Sequence, residues 1–452
     1  MAAACLRTAA FVVIVLALSV RPVLAQSVLR DAETEALFHE ISAPLIAAAG
    51  LDPNNVKVVL IGDKEINAFV AGGQVVYVNS GLVIAADNVN ELQGVIAHEL
   101  GHVAGGHVIS SAQGAASAGR ISILSLLLGA AAMAAGAGEA GMGVMAMGQQ
   151  AAMGKYLAFS RDQESSADQA GARYLRLSHI SGKGSLSFFK KLQQQEFRLA
   201  IPQDDGYGRT HPLTGDRLSA LEQVYHSSPY WDTPTDPKLD VRFQLVKAKL
   251  IGYVQDPPAV LQKYPERDKS APAHYARAYA YHRSAYPEKA LEEADALVAL
   301  KPDDPYALEL KGQILLESGK PADALPPLRQ AVKLLPAQPL IASSLGQALM
   351  ATENPANFAE AKSVLRTAVS QDRENPFAWY QLGLVYAREG DEARSALASA
   401  ERYDLEGEPK LAMASADRAM QGIPPYTPDW LRAQDISMVA HNEVDGKRKK
   451  GK

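Results

Sequence analysis

The stretch VIAHELGHVAGGHVIS holds three histidines, His98, His102 and His107, with Glu99 beside the first. His98 and His102 are four apart, so on a helix their side chains stand one turn apart on one face. That spacing suits two corners of a tetrahedral zinc site. Glu99 points roughly a quarter-turn away, where a general base can take a proton from water at the metal without ligating it. The third ligand is the open question. A pattern HExxHxxGxxH would use the later histidine. Gly105 falls where that pattern wants glycine, but His107 arrives one residue too early. The segment FSRDQESSADQAGARYL offers the alternative. Glu164 and Asp168 are again four apart and share a helix face. The expectation is one zinc per chain, held by His98, His102 and Glu164. Asp168 then orients a ligating histidine through its free ring N–H. His107 is left as a local polar contact near the helix end.

The flanking sequence says what positions these groups. Asn88 followed by Glu91 reads as a capping box that starts the histidine helix, and the apolar run then continues from Val95 through Val108. Ahead of it, Leu29, Leu37, Ile41 and Leu45 recur at helical spacing. Three β-rich runs follow, Val56–Ile61, Ile66–Val70 and Gln74–Asn79, joined at Gly and Asp, which predicts a small antiparallel sheet. Gln74–Asn79 or its neighbour is expected to be an edge that receives substrate as an added strand. Residues 121–153 are apolar and rich in Gly, Ala and Met, shorter than a spanning helix requires on either side of a bend at Gly136–Gly143. A lid over the metal site, a hairpin dipping into a membrane surface and plain core packing stay open, with Glu139 against full insertion.

The chain of 452 residues is too long for one ordinary core, and 47% hydrophobic with 21% charged residues argues against general disorder. A formal net charge of -5 gives no ground for a nucleic-acid partner. The basic end KRKKGK reads as a solvated terminus. Arg7, the apolar run AAFVVIVLALSV and VLA ending at Ala25 read as an export signal over residues 1–25. The single cysteine, Cys5, lies inside it. A mature chain without a thiol must bind metal through His and carboxylate. Periplasmic localisation is the expectation.

From residue 237 to 420 the chain reads as helical and repeats. Ala290 and Ala324 are 34 apart and Ala361 follows after 37, the excess fitting an insertion at ENPAN. Pro302 and Pro336, Pro305 and Pro339, and Gly312 and Gly346 keep the period of 34, with Gly383 shifted like Ala361. This resembles the tetratricopeptide repeat, whose arrays form a solenoid that commonly binds peptides or proteins. Leu315, Leu328 and Trp379 are core positions. Residues 421–452 form a tail in which Trp430 and Ile436 pin a short segment.

HELGH with ESSAD, the form ExxxAD, resembles the CAAX prenyl protease and HtpX group of gluzincin metallopeptidases. NAFVAGGQVVYVNSGL before the zinc helix and THPLTGDR after it extend the likeness. The resemblance implies a mainly helical α+β peptidase domain over 26–236. It implies zinc on His98, His102 and Glu164, with Glu99 as base and Asp168 behind the ligands. It brings His211 and Arg217 to the site from a later loop. His211 is then an oxyanion donor or a fourth ligand that holds the enzyme off, and Arg217 fixes Glu164 or Asp168. The long transmembrane helices of the membrane-bound members are missing. Unfolded or misfolded envelope proteins are the implied substrates, and the β-barrel assembly machinery the implied partner. The rival reading is a chaperone with an occluded site.

Overall fold

The computed structural model describes residues 28–134, 138–199, 211 and 214–450. The expected signal peptide, Cys5 and Gly136 lie outside them. The chain divides into two compact units, one of residues up to 29 with 42–87 and 91–233, the other of 30–41, 88–90 and 234 onward. Helix α1 (Ala32–Ala48) begins in the second unit and ends in the first.

The first unit contains a three-stranded sheet, β1 (Lys57–Ile61), β2 (Ala68–Ala71) and β3 (Val75–Asn79), in the order β1-β3-β2. The expectation of an antiparallel sheet is corrected here. β2 and β3 do form an antiparallel hairpin, because Gly72 and Gly73 turn the chain at φ +61 and +98. β1 runs parallel to β3, with Lys57 opposite Val75. The link between β1 and β2 is no hairpin. The Asp63 carbonyl accepts from Gly81 N–H at 2.8 Å and from Ser80 Oγ at 2.7 Å, which ties the link to the far end of β3. The last strand therefore enters the middle of the sheet. β3 is central, and β2 is the edge strand beside it.

After α2 (Ser80–Ala85) comes α3 (Val89–Ala104), which carries the HELGH residues. Glu91 reaches back over its start, but to the N–H of Asp87 at 2.8 Å, and also receives Lys191 Nζ and Ser187 Oγ at 2.8 Å each. Val95, Ile96, Ala97 and Leu100 are fully buried. The helix does not run on to Val108 as its apolar pattern suggested. Gly106 turns at φ +61 and a new helix, α4 (His107–Ala134), starts at once. α4 lies against α5 (Gly138–Leu177), which supplies Glu164 and Asp168. α3 and α5 cross with their backbones almost touching. A Cβ on Gly101 would lie 2.7 Å from the Ala167 carbonyl oxygen, and one on Gly171 would lie 3.0 Å from His98 N. α6 (Lys183–Leu199) packs Phe188 and Phe189 into the core, and α7 (Gly215–His226) starts at Thr214, whose hydroxyl accepts from Arg217 N–H.

The second unit is helical from α8 (Pro237–Val254) onward. Successive pairs α10 (Ala271–Arg283) with α11 (Pro287–Leu300), α12 (Pro305–Glu317) with α13 (Pro321–Leu334), and α14 (Pro339–Ala351) with α15 (Phe358–Gln371) make the repeat, and short α9 (Pro257–Lys263) precedes them. Ala290, Ala324 and Ala361 have no exposed surface. A Cβ on Gly312 would meet Leu328 at 2.4 Å, and one on Gly346 would meet Leu365 at 2.4 Å, the same contact one repeat later. The insertion at ENPAN is a single 3-10 turn, Pro355–Asn357. The stack continues through α16 (Pro376–Arg388), α17 (Glu392–Leu405), α18 (Pro409–Gly422) and α19 (Pro428–Lys450). Ile436 and Trp430 pack with Ala412 and Ala416 in a core of this last part. The N-terminal turns of α1 belong to the same unit. Ala32 packs against Leu308, Ala331 and Ile341, and buried Lys249 pairs with Asp31 at 2.5 Å and Glu33 at 3.4 Å.

Candidate metal centre

One buried point collects four residues from two helices and a later segment. Ligand atoms of His98, His102, Glu164 and His211 all lie within 4.8 Å of one another. His98 Nε2 and His102 Nε2 face each other at 3.1 Å. The Glu164 carboxylate places Oε2 3.4 Å from His98 Nε2 and Oε1 3.4 Å from His102 Nε2. His211 Nδ1 completes the group, 3.1 Å from Glu164 Oε1 and 3.3 Å from His98 Nε2. This convergence follows from the glycine crossing. Gly101 lies three residues after His98 and Gly171 three after Asp168, so each glycine shares a face with its site residues.

The outer side of each group is also held. His98 turns Nδ1 to Asp168 Oδ1 at 2.9 Å. Arg217 forks onto Asp168, Nε to Oδ2 at 2.7 Å and a terminal nitrogen to Oδ1 at 2.8 Å, while its other terminal nitrogen donates to Glu164 Oε2 at 3.0 Å. His102 turns Nδ1 to His107 Nδ1 at 2.9 Å, with the rings edge to face. Phe189 meets the His98 ring edge-on at 5.8 Å between centroids. Glu99 has no exposed surface, and neither of its carboxylate oxygens has a hydrogen-bond partner among the described residues. His211 Nε2 is 3.5 Å from Glu99 Oε1.

The electrostatics favour a cation at the centre. Burial pushes His102 down to about 2, helped by the charges of His98 and His211, so its ring nitrogens stay free of excess protons. Burial opposes ionisation of Glu164, but His211 and His98 outweigh it and hold the carboxyl below its ordinary range. Burial also opposes charge on His98, yet hydrogen bonds to Asp168 and Glu164 raise it to about 10. The place that favours a proton there favours a positive ion. Burial raises the Glu99 carboxyl. Imidazole nitrogens and carboxylate oxygens without a thiol are a donor set that fits zinc.

His98, His102, Glu164, Asp168, His211 and Arg217 meet at one point, with Glu99 beside it. Two features were missed. One is the pair of glycines, signalled by their matching offsets from site residues. The other is the approach of His107 to His102, which needs the turn at Gly106.

Comparison with known proteins agrees with this geometry. Residues 31–225 match the model for peptidase family M48, and 275–339, 309–361 and 344–409 match a tetratricopeptide-repeat model. The chain is 26% identical over 364 residues to the beta-barrel assembly-enhancing protease of Yersinia pestis, covering 78% of this chain and 72% of that one. It is 24% identical over 355 residues to the Escherichia coli (strain K12) protein of the same description, covering 77% and 71%. Metalloprotease LoiP of Escherichia coli (strain K12) is 34% identical over 175 residues, covering 37% of this chain and 62% of that one. The chain carries a metalloprotease domain of peptidase family M48 followed by tetratricopeptide repeats.

Proposed function

We propose that the chain is an exported zinc endopeptidase acting on unfolded or misfolded envelope proteins, with the repeats recruiting clients or the β-barrel assembly machinery. The convergence of His98, His102 and Glu164 beside a fully buried Glu99 carries this reading. The names of the relatives support the link to β-barrel assembly. His98, His102 and Glu164 would hold one zinc. Asp168 fixes the ring of His98, and Arg217 fixes Asp168 and Glu164 by charge-assisted hydrogen bonds. Zinc held there would supply Lewis-acid polarisation of the scissile carbonyl and lower the pKa of water. Glu99 takes the proton as the peptide bond is attacked and later returns it to the leaving amine. Burial, which raises its carboxyl, keeps it out of bulk water beside that point. The β2 edge offers backbone groups for an extended substrate strand, which selects for unfolded chain. We place the mature protein in the periplasm and residues 1–25 with the export signal. We take the peptidase domain as 26–236, although 30–41 and 88–90 belong to the second compact unit, the repeats as 237–420 and the tail as 421–452, whose helix α19 packs on α18 at the end of the stack.

A second reading rests on His211. Its Nδ1 stands among the candidate ligand atoms, 3.1 Å from Glu164 Oε1 and 3.3 Å from His98 Nε2. Were His211 a fourth protein donor to zinc, the site would be closed, without an open position for water. In that state the chain acts as a chaperone or assembly factor, and removing His211 opens the site. The test is cleavage of an unfolded outer-membrane β-barrel protein by wild type, Glu99→Gln and His211→Ala. Cleavage by wild type and none by Glu99→Gln supports the peptidase. Cleavage by His211→Ala alone supports closure. Cleavage by Glu99→Gln refutes the assigned base.

A further inference from the structure

The α4–α5 hairpin is built inside out. Between residues 121 and 157 the buried positions among the described residues are Ser125, Gly129 and Ala152. Gly148 faces Ser125 so closely that a Cβ there would sit 1.9 Å from Ser125 Cβ. The large side chains point outward. Ile123, Leu124, Leu127 and Leu128 are 56–63% exposed, and Met147 is 72% exposed. In water, two packed helices put leucine in the seam and small or polar residues outside. Small residues in the seam and leucine outside is the arrangement of helices packed within lipid. At the base of the stretch Arg120, Lys155 and Tyr156 are exposed, and Glu139 is the only charged residue in the sequence between Arg120 and Lys155. Basic and aromatic side chains bordering an apolar stretch match the headgroup level of an anionic bilayer.

We propose that this hairpin enters one leaflet of an anionic phospholipid membrane, with Arg120, Lys155 and Tyr156 at the headgroups and Leu124, Leu127 and Leu128 among the acyl chains. This gives the membrane contact raised by residues 121–153 a fixed polarity, and it is independent of the zinc chemistry. The apolar part of α4 is roughly 20 Å long. One leaflet of hydrocarbon is roughly 15 Å thick. No described helix is long and apolar enough to cross a membrane. The hairpin therefore enters obliquely and stays on one side. The experiment is flotation of the purified full chain with vesicles of phosphatidylethanolamine and phosphatidylglycerol, or of phosphatidylcholine alone. Two variants run alongside, Leu124→Ser/Leu127→Ser/Leu128→Ser and Arg120→Glu/Lys155→Glu. All five positions are exposed, so the fold is retained. Wild type floats with the anionic vesicles at least tenfold more than the leucine variant, and the charge variant loses the preference for anionic lipid. Wild type that stays at the bottom with both vesicles overturns the proposal. So does a leucine variant that floats like wild type, or a wild-type dimer in sedimentation that the leucine variant dissolves, which would assign the surface to a second copy.

A separate observation concerns His107, which lies 8% exposed with Nδ1 2.9 Å from His102 Nδ1. Only one of two facing nitrogens can carry the proton. His102 must leave Nε2 bare to bind metal, so its proton sits on Nδ1 and His107 accepts it. Each of these histidines then has a side chain facing its Nδ1, Asp168 at His98 and His107 at His102, each at 2.9 Å. We infer that His107 is a positioning residue for His102. This rests on His102 being a ligand. Gly105 leaves the ring its place, since a Cβ there would lie 2.4 Å from His107 Nε2. The test is zinc affinity by competition with a chelating indicator, together with the unfolding midpoint of the metal-free protein. His107→Leu and Gly105→Ala weaken zinc binding by roughly 10- to 100-fold. His107→Asn, which keeps an acceptor near the Nδ1 position, stays much nearer wild type. Unchanged affinity in His107→Leu, or equal loss in Asn and Leu, overturns the inference. Undiminished zinc in His102→Ala would instead overturn the ligand assignment.

Discussion

Gly101 is the position where backbone packing and metal geometry meet. Replacing it with alanine puts a Cβ 2.7 Å from the Ala167 carbonyl oxygen, against an ordinary contact beginning at 3.4 Å, a shortfall of about 0.7 Å. The obstacle is backbone, so α3 or α5 must move. Zinc–ligand distances tolerate roughly 0.2 Å. A shift of that size cannot be absorbed at the centre, because His98 and His102 ride on one helix and Glu164 on the other. Overpacking costs roughly 1–3 kcal/mol, and alanine returns up to about 1 kcal/mol in helix propensity. With the full return, metal-free stability therefore falls by about 0–2 kcal/mol, while zinc affinity drops by tenfold or more. Gly154, on α5 with nothing within 4 Å of its would-be Cβ, is the control. Gly154→Ala gains about 0.5–1 kcal/mol with zinc affinity unchanged. Urea unfolding with and without zinc, plus chelator competition, measures both quantities. A Gly101→Ala protein that binds zinc like the control would refute the claim that this crossing sets the ligand geometry.

Three further outcomes are expected. Arg217→Leu strands Asp168 and Glu164 without their buried cation and destabilises the metal-free protein by about 3–5 kcal/mol; urea unfolding in saturating zinc shows a smaller loss, because metal offsets the charge of Glu164. Burial raises Glu33 to about 7 from 4.5, so its contribution to stability is full below pH 4.5 and is lost as pH rises through 7. Glu33→Gln removes that loss, and slows amide exchange in α8 and α10 at pH 8 while leaving it nearly unchanged at pH 4. Leu328→Ala opens a cavity in the repeat core and costs about 2–5 kcal/mol by thermal unfolding.

The pairs His98/His102 and Glu164/Asp168 were legible because a spacing of four is a property of the helix itself. The repeat was legible for a similar reason, since Ala290, Ala324 and Ala361 mark the same crossing in each pair. Strand order was not. Turn glycines identify the β2–β3 hairpin, but the entry of β3 between β1 and β2 depends on where the Asp63 link is tied. The break after Ala104 was hidden by an apolar pattern that continues on both sides of it. Once Gly106 is known to turn, the approach of His107 to His102 follows. The leucines of 121–128 were visible, but which of them face the partner helix is a matter of packing, and the seam went to Ser125 and Gly129 instead.

The central claim is that His98, His102 and Glu164 hold one zinc with Glu99 beside it. Anomalous diffraction at the zinc edge from crystals of the purified chain tests it most directly. The account predicts a single peak bonded to the Nε2 atoms of His98 and His102 and to the Glu164 carboxylate, with His211 as the fourth donor in the closed state. A peak bonded to His107, or no peak at this point in zinc-replete protein, would contradict it.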